Sequence, residues 1–172
     1  MEARVMPLSG SQRGGLVGKG YMKVFSYEIA LESSKAPEFV DVTDWVQNIV
    51  EETGVRFGTA VVYSTHTTTS VAINEKEPLL LEDVGHLLEH FAPREGGYLH
   101  NDFEMRTVNM NGDEFPNGHA HCQQIVLGTS ETIPIVGNRL HLGVYQRIFF
   151  IELDRPRPRQ LIVQVMGVQE ED

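Results

Sequence analysis

A single cysteine, Cys122, in a chain of 172 residues excludes an intramolecular disulfide framework and any zinc site of the CxxC type. The N-terminal stretch also has no apolar run long enough for the core of a signal peptide, so the expected location is a reducing cytoplasm. Basic residues are scarce, 14 against 24 acidic, and a net charge of −10 excludes a long-range field that would gather nucleic acid or an anionic membrane. Any anion site must be local. Long hydrophobic runs are missing too: Ile133 to Val136 and Ile148 to Ile151 have the length of strands, and no membrane-spanning helix fits. Repeats, low-complexity blocks and linkers are absent after residue 21.

What remains is ordinary globular usage, 41% hydrophobic, at a length that suits one continuous core. Residues 1–21, punctuated by Gly, Ser and Pro, read as a leader or as an arm that packs on a neighbour, residues 22–168 as one domain, and residues 169–172 as an acidic tail. Residues 22–31 predict a half-buried strand. Asp41 or Thr43 can cap a helix whose stripe is Val42, Trp45, Val46, Ile49 and Val50, ending before Gly54. Phe57 to Thr65 predicts a strand, with Ser70 to Asn74 as its antiparallel return. Pro78 opens a second helix with the stripe Leu80, Val84, Leu87, Leu88 and Phe91.

From Tyr98 to Gly118 the hydrophobic periodicity vanishes and a long polar loop results, the kind of segment that carries function. Asn117 can cap a short helix that Gly128 ends. Three strands follow: Glu131 to Val136, Leu140 to Leu153 after a Gly137-Asn138 turn, and Gln160 to Val168. Antiparallel turns without a βαβ rhythm predict an α+β fold, an antiparallel or mixed sheet with helices packed on it.

Chemistry-bearing residues are mainly histidines, of which there are seven. His86 and His90, spaced i, i+4, fall opposite the apolar stripe of their helix and read as a solvated face. His141 lies on a strand with no legible role. His119 and His121 would point about 200° apart on a helix, so only one of them can face a given site. His66 at a strand end, His100 in the polar loop and one of this pair then remain. Three neutral imidazoles would suit a divalent metal, zinc before others, with a fourth position left open.

Around them stand Thr67 within the run Thr65 to Ser70, Asn74 and Glu75 on the return strand, and Asp102 beside His100. A carboxylate such as Glu75 or Asp102 can orient a ligating imidazole or act as general acid/base. The Arg-rich segment from Asp154 to Gln160, with Arg155, Arg157 and Arg159, and Arg147 supply fork-shaped donors for phosphate oxygens, although an exposed solubilising turn is at least an equal reading of that segment. Cys122 has no legible base partner and reads as a small packing residue.

Four stretches, STHTTTSVAINE (Ser64 to Glu75), GYLHND (Gly97 to Asp102), NGHAHCQQIVLGTSETIPI (Asn117 to Ile135) and LGVYQRIFFIELDRPRPR (Leu142 to Arg159), resemble in order and spacing those of the YjbQ-like family. The resemblance implies a compact α+β domain that assembles as a homotrimer, with a site built around His66, His100 and His121. It also implies Asn74, Glu75 and Asp102 as matched polar positions. Members have been linked to a secondary thiamine-phosphate synthase activity, which joins an aminopyrimidine pyrophosphate to a thiazole phosphate and expels pyrophosphate. This sequence departs from the pattern at Tyr145, where many members have Trp, and at Arg155, where Gly is common.

The function expected is therefore a metal-dependent enzyme acting on a small phosphorylated substrate. Its metal would be held by His66, His100 and His121, its acid/base group would be Glu75 or Asp102, and its substrate would be bound by Asn74, Thr67, Arg157 and Arg159. The alternative is a non-catalytic trimeric binding or scaffold protein.

Overall fold

Alternating apolar residues in the strand segments build two antiparallel sheets that face each other. The computed structural model describes residues 4–7, 15–17, 20–112 and 114–169. Among these residues the chain runs β1 (Arg4–Pro7), β2 (Gly15–Val17), β3 (Gly20–Glu32), β4 (Glu38–Asp41), α1 (Thr43–Thr53), β5 (Phe57–Ser64), β6 (Thr69–Glu75) and α2 (Pro78–Phe91). It continues through a 3-10 turn (Leu99–Asn101) to α3 (Gly118–Leu127), β7 (Ser130–Val136), β8 (Arg139–Leu140), β9 (Gln146–Glu152) and β10 (Pro158–Val168). The larger sheet has the order β1-β3-β10-β5-β7-β8, with β2 also on β3, and the smaller has the order β4-β9-β6. This is the α+β class that the sequence predicts. Within the leader, residues 4–7 and 15–17 pair with β3; residues 170–172 of the tail lie outside the described residues.

The core lies between the sheets. Ile29, Leu31, Val62 and Val163 from the larger sheet meet Val71, Ile148 and Phe150 from the smaller, and Val46, Ile49 and Val50 of α1 close one end. Central strand β9 is buried on both faces, because Phe149 and Ile151 point the other way into a second cluster with Leu88 of α2 and Ala120 of α3. That double burial is why its sequence is an unbroken apolar run. Close approach of β5 and β10 uses a paired Gly58 and Gly167, where an added Cβ would lie 2.0 Å from the Met166 carbonyl or 2.2 Å from that of Phe57.

α1 forms as its stripe predicts: Asp41 Oδ1 accepts from the Thr43 N–H at 3.1 Å, and Gly54 ends the helix at φ 65°. Three expectations are corrected. First, β6 is not the return of β5. Both edges of β5 are taken by β10 and β7, and Thr65 to Thr68 contains no Gly or Asn for a tight hairpin, so the chain crosses to the smaller sheet and pairs with β9. Second, α2 turns Leu87 and Phe91 outward and buries Leu88, with Leu81 and Val84 packed beside it, against Phe149 and Ile151. Third, the span Leu140 to Leu153 is two strands in different sheets. Gly137 and Asn138, both at positive φ, make the β7–β8 turn, and a turn closed by the Gln146 N–H on the Gly143 carbonyl sends β9 away.

A charged pair sits inside. Arg159 continues the inward stripe of Leu161, Val163 and Val165 on β10, Glu152 continues that of Ile148 and Phe150 on β9, and the two meet at 2.6 Å through both Nε and Nη2. Glu152 also accepts from Ser33 Oγ at 2.9 Å and from the Asp154 N–H at 3.0 Å, while Arg159 Nη2 donates to Thr68 Oγ1 at 3.1 Å. Removing one partner from such a pair strands a buried charge, at a cost of about 3–5 kcal/mol. Urea unfolding of Glu152→Ala should show a loss of that size, whereas the double variant Glu152→Met with Arg159→Met should lose markedly less. Equal losses would show that the two charges do not depend on one another.

Candidate functional site

The cleft opens where β5 ends. Ser64 is the last β5 residue paired with β10, opposite Leu161. One position further along β10, the Gln160 N–H donates instead to His66 Nε2 at 3.0 Å, so a side chain continues the ladder past the strand. With that lone pair engaged, a neutral His66 carries its proton on Nδ1. Burial, then the nearby Arg159 and Arg157 guanidinium groups, push its pKa below the ordinary value of 6.5, which keeps the ring neutral.

The opposite wall comes from the 3-10 turn and α3. Asn101 Oδ1 accepts from the backbone N–H groups of Asn117 at 3.0 Å and Gly118 at 2.9 Å, docking the start of α3 onto the turn. Gly118 permits this contact, since a Cβ there would lie 2.5 Å from Tyr98 Cβ. Asn101 thus does the capping expected of Asn117, whose own side chain makes no cap and whose Oδ1 is buried without a hydrogen-bond partner. The docking brings His100 and His121 together with ring centroids 4.6 Å apart at 65°. His100 Nε2 is also buried without a partner. Burial, then His100 and Arg106, lower the His121 pKa.

Residues 102–112 and 114–116 form the rim, and Arg106 shapes it. Its guanidinium donates to the carbonyls of Val108 at 3.3 Å and Asn109 at 2.6 Å and to Glu114 Oε2 at 3.2 Å. Glu114 Oε1 accepts from the Asn111 N–H, and this bond, opposed by desolvation and aided by Arg106, holds the carboxyl below its usual range. Across the cleft stand Arg155, whose guanidinium lies 4.1 Å from the Phe115 ring centroid, and Arg157, whose Nη2 donates to Asp154 at 2.8 Å. Arg157 Nε is buried and unpartnered. The cleft holds about 580 Å³, at the small end of the range for ligand sites.

Of the residues singled out from sequence, His66, His100, His121, Thr67, Arg157 and Arg159 line this one cleft. Arg159 does so with its guanidinium committed to Glu152. Among the described residues no three His, Cys, Asp or Glu side chains gather as a metal-holding group; the close histidine pair is His100 with His121. Glu75 and Asn74 lie elsewhere: they end β6, paired with Gln146 and Arg147, roughly 20 Å along the strand from Thr69 at its cleft end. Asp102 is a turn cap, accepting from the N–H groups of Glu104 and Met105. Arg147 is held by Asp41 and Asp44 at 2.9 Å each. His86 and His90 are exposed, as expected for a solvated face. Arg155 joins the site from the Arg-Pro segment, and Glu114 and Arg106 join it without having been singled out as its chemistry. Only their opposite charges inside a polar loop could have pointed to these two.

The sequence model for "UPF0047 protein YjbQ-like" matches residues 27–168. The chain belongs to the YjbQ-like family. A UPF0047 protein of Methanothermobacter thermautotrophicus is 36% identical over 147 residues, covering 86% of this chain and 95% of the relative. One from Archaeoglobus fulgidus is 37% identical over 139 residues, covering 81% and 99%. Among solved structures, a YbjQ-like protein of unknown function from Sulfolobus solfataricus aligns with a TM-score of 0.77 at 31% identity, covering 85% of this chain and 99% of that one. A YjbQ/UPF0047 protein from Clostridium acetobutylicum aligns at 0.71 and 34%, covering 80% and 98%. The family match begins inside β3, so β1 and β2 lie outside it.

Because the pKa values of His66 and His121 are depressed, unfolding takes up protons once the pH falls through the unfolded value near 6.5. Stability should be level above neutrality and decline as the pH falls through that value. In His121→Gln the decline should be shallower by about one proton's slope. Urea midpoints measured between pH 5 and 8 (about those limits) test this, and parallel curves for the two proteins would refute it.

Proposed function

We propose that the histidine cleft is the active site of a divalent-cation-dependent enzyme acting on a small phosphorylated substrate, with thiamine-phosphate synthesis as a side reaction. The observation that carries the reading is His100 Nε2, a buried nitrogen without a partner beside the imidazole of His121. Such an atom is costly to bury and is satisfied by a cation or a ligand donor. His100 and His121 fit as the holders of the ion, and imidazole donors favour zinc-type cations. His66 fits less well, since ligation through either nitrogen would require surrendering its bond to Gln160. A cation bound there supplies positive charge against a developing oxyanion or departing diphosphate.

The protein's own groups divide the remaining work. Arg155 and Arg157 offer donors to phosphate oxygens, and the unpartnered Arg157 Nε gives one of them a fixed direction. Glu114, a carboxylate at neutral pH, can accept a proton from a substrate hydroxyl, amine or water while Arg106 holds its position. Thr67 lines the same cleft. We propose further that the molecule is a homotrimer. Exposed Leu99 on the 3-10 turn, Met105 and Val108 on the rim, and Ile125 and Val126 on α3 favour a covered surface there.

Elemental analysis of purified His121→Ala and His100→Ala should show loss of bound divalent metal, with unchanged content in His86→Ala. Unchanged metal in both cleft variants would remove the reading. With a substrate found by screening phosphorylated metabolites, Glu114→Gln should lower kcat about 10²–10⁴-fold with little change in metal. A trimer mass by light scattering is expected at micromolar concentration, and a monomer mass would overturn the assembly.

A further inference from the structure

α3 walls two clefts. His121 faces the one described above, and His119 faces another, enclosed by α2, the segment before β4 and Leu153. This second cleft is the larger, about 880 Å³. Pro37, Phe39, Leu81, Leu88 and Leu153 give it an apolar lining. At its floor is His119, only 1% exposed, with neither ring nitrogen in a hydrogen bond of ordinary geometry. The Leu153 backbone lies near the ring. A neutral imidazole offers one donor and one acceptor.

Charge at the rim is balanced, with Lys35, Lys76 and Arg94 against Glu38, Glu82 and Glu89. Two of the cations are already engaged, Lys76 with Asp41 at 3.1 Å and Arg94 Nη2 with the Asp154 carbonyl at 3.1 Å. Nothing in this arrangement rewards bringing a net charge out of water, whereas the lining rewards apolar surface and the floor rewards one polar group. A protruding surface of a second copy could cover the mouth but is a poor match for a polar atom at the bottom of a concavity.

We propose that this second cleft is a binding site for an uncharged, largely apolar small molecule bearing one hydroxyl or amide group, which His119 meets at the floor. The site is separate from the histidine cleft and does not depend on the function proposed for it.

The test titrates the full chain, carrying isotope-labelled histidine, with benzyl alcohol, toluene, benzoate and benzylamine. Benzyl alcohol should shift the His119 ring signals saturably and bind about tenfold more tightly than either charged probe, and several-fold more tightly than toluene. His119→Leu should keep toluene binding and lose the preference for the alcohol. A second variant, Gly85→Phe, fills the mouth from α2, where an added Cβ meets only Pro37 Cγ at 3.7 Å, and should abolish binding of every probe while the protein stays folded. The proposal is overturned if benzyl alcohol gives no saturable shift, if the charged probes bind equally well, or if Gly85→Phe leaves binding intact. It is also overturned if the His119 signals move with protein concentration alone, which would identify a second copy as the occupant.

Discussion

The buried pairing of Glu152 with Arg159 is the constraint on which the site depends. Each residue ends the inward face of a strand, one in each sheet, and neither charge is tolerable in that interior without the other. The pair fixes how the two sheets meet at one corner, and the backbone around that corner carries the cleft. Thr68, bonded to Arg159, leads the chain from one sheet to the other two residues after His66. Ser33, bonded to Glu152, also accepts from the Arg157 N–H, which anchors the Arg-Pro turn. Misplacing this corner would move both His66 and Arg157.

Electrostatically the molecule concentrates what it otherwise lacks. A chain with net charge −10 gathers Arg106, Arg155, Arg157 and Arg159 around a single cleft. Arg159 is neutralised from beneath by Glu152 and Arg106 is engaged by Glu114, so the cations left facing an incoming anion are chiefly Arg155 and Arg157, the latter shared with Asp154. Such a site attracts an anion over a short range only, as the Debye length in physiological salt is about 8 Å.

Local patterns were legible in the sequence and long-range pairings were not. The stripe of α1, Pro78 at the start of α2 and the Gly137-Asn138 turn each announce themselves within a few residues, because propensity and capping act over one or two turns. Assignment of β6 to β9 is a competition among strands far apart in sequence, and no local signal decides it. The same holds at the site. His66, His100 and His121 stood out by residue type and by the family's motifs, while Glu75, also on a matched motif position, was placed beside them on a strand read as the return of β5. Glu114 went unnoticed because a loop has no periodicity to mark which side chains turn inward. Arg159 read as a phosphate donor because of its fork-shaped guanidinium in an Arg-Pro segment, and its place on the inward parity of β10 commits it to Glu152.

The helix α3 is a partition, with a histidine on each side of it. Its angular position is set at one end by the seat of Gly118 against Tyr98 and at the other by Gly128. Each residue inserted or deleted inside the helix would rotate the far part by about 100° and carry its side chains off their faces. Length variation can accumulate in the loop before Asn117 without this penalty, whereas the ten residues of α3 can drift in identity but not in number.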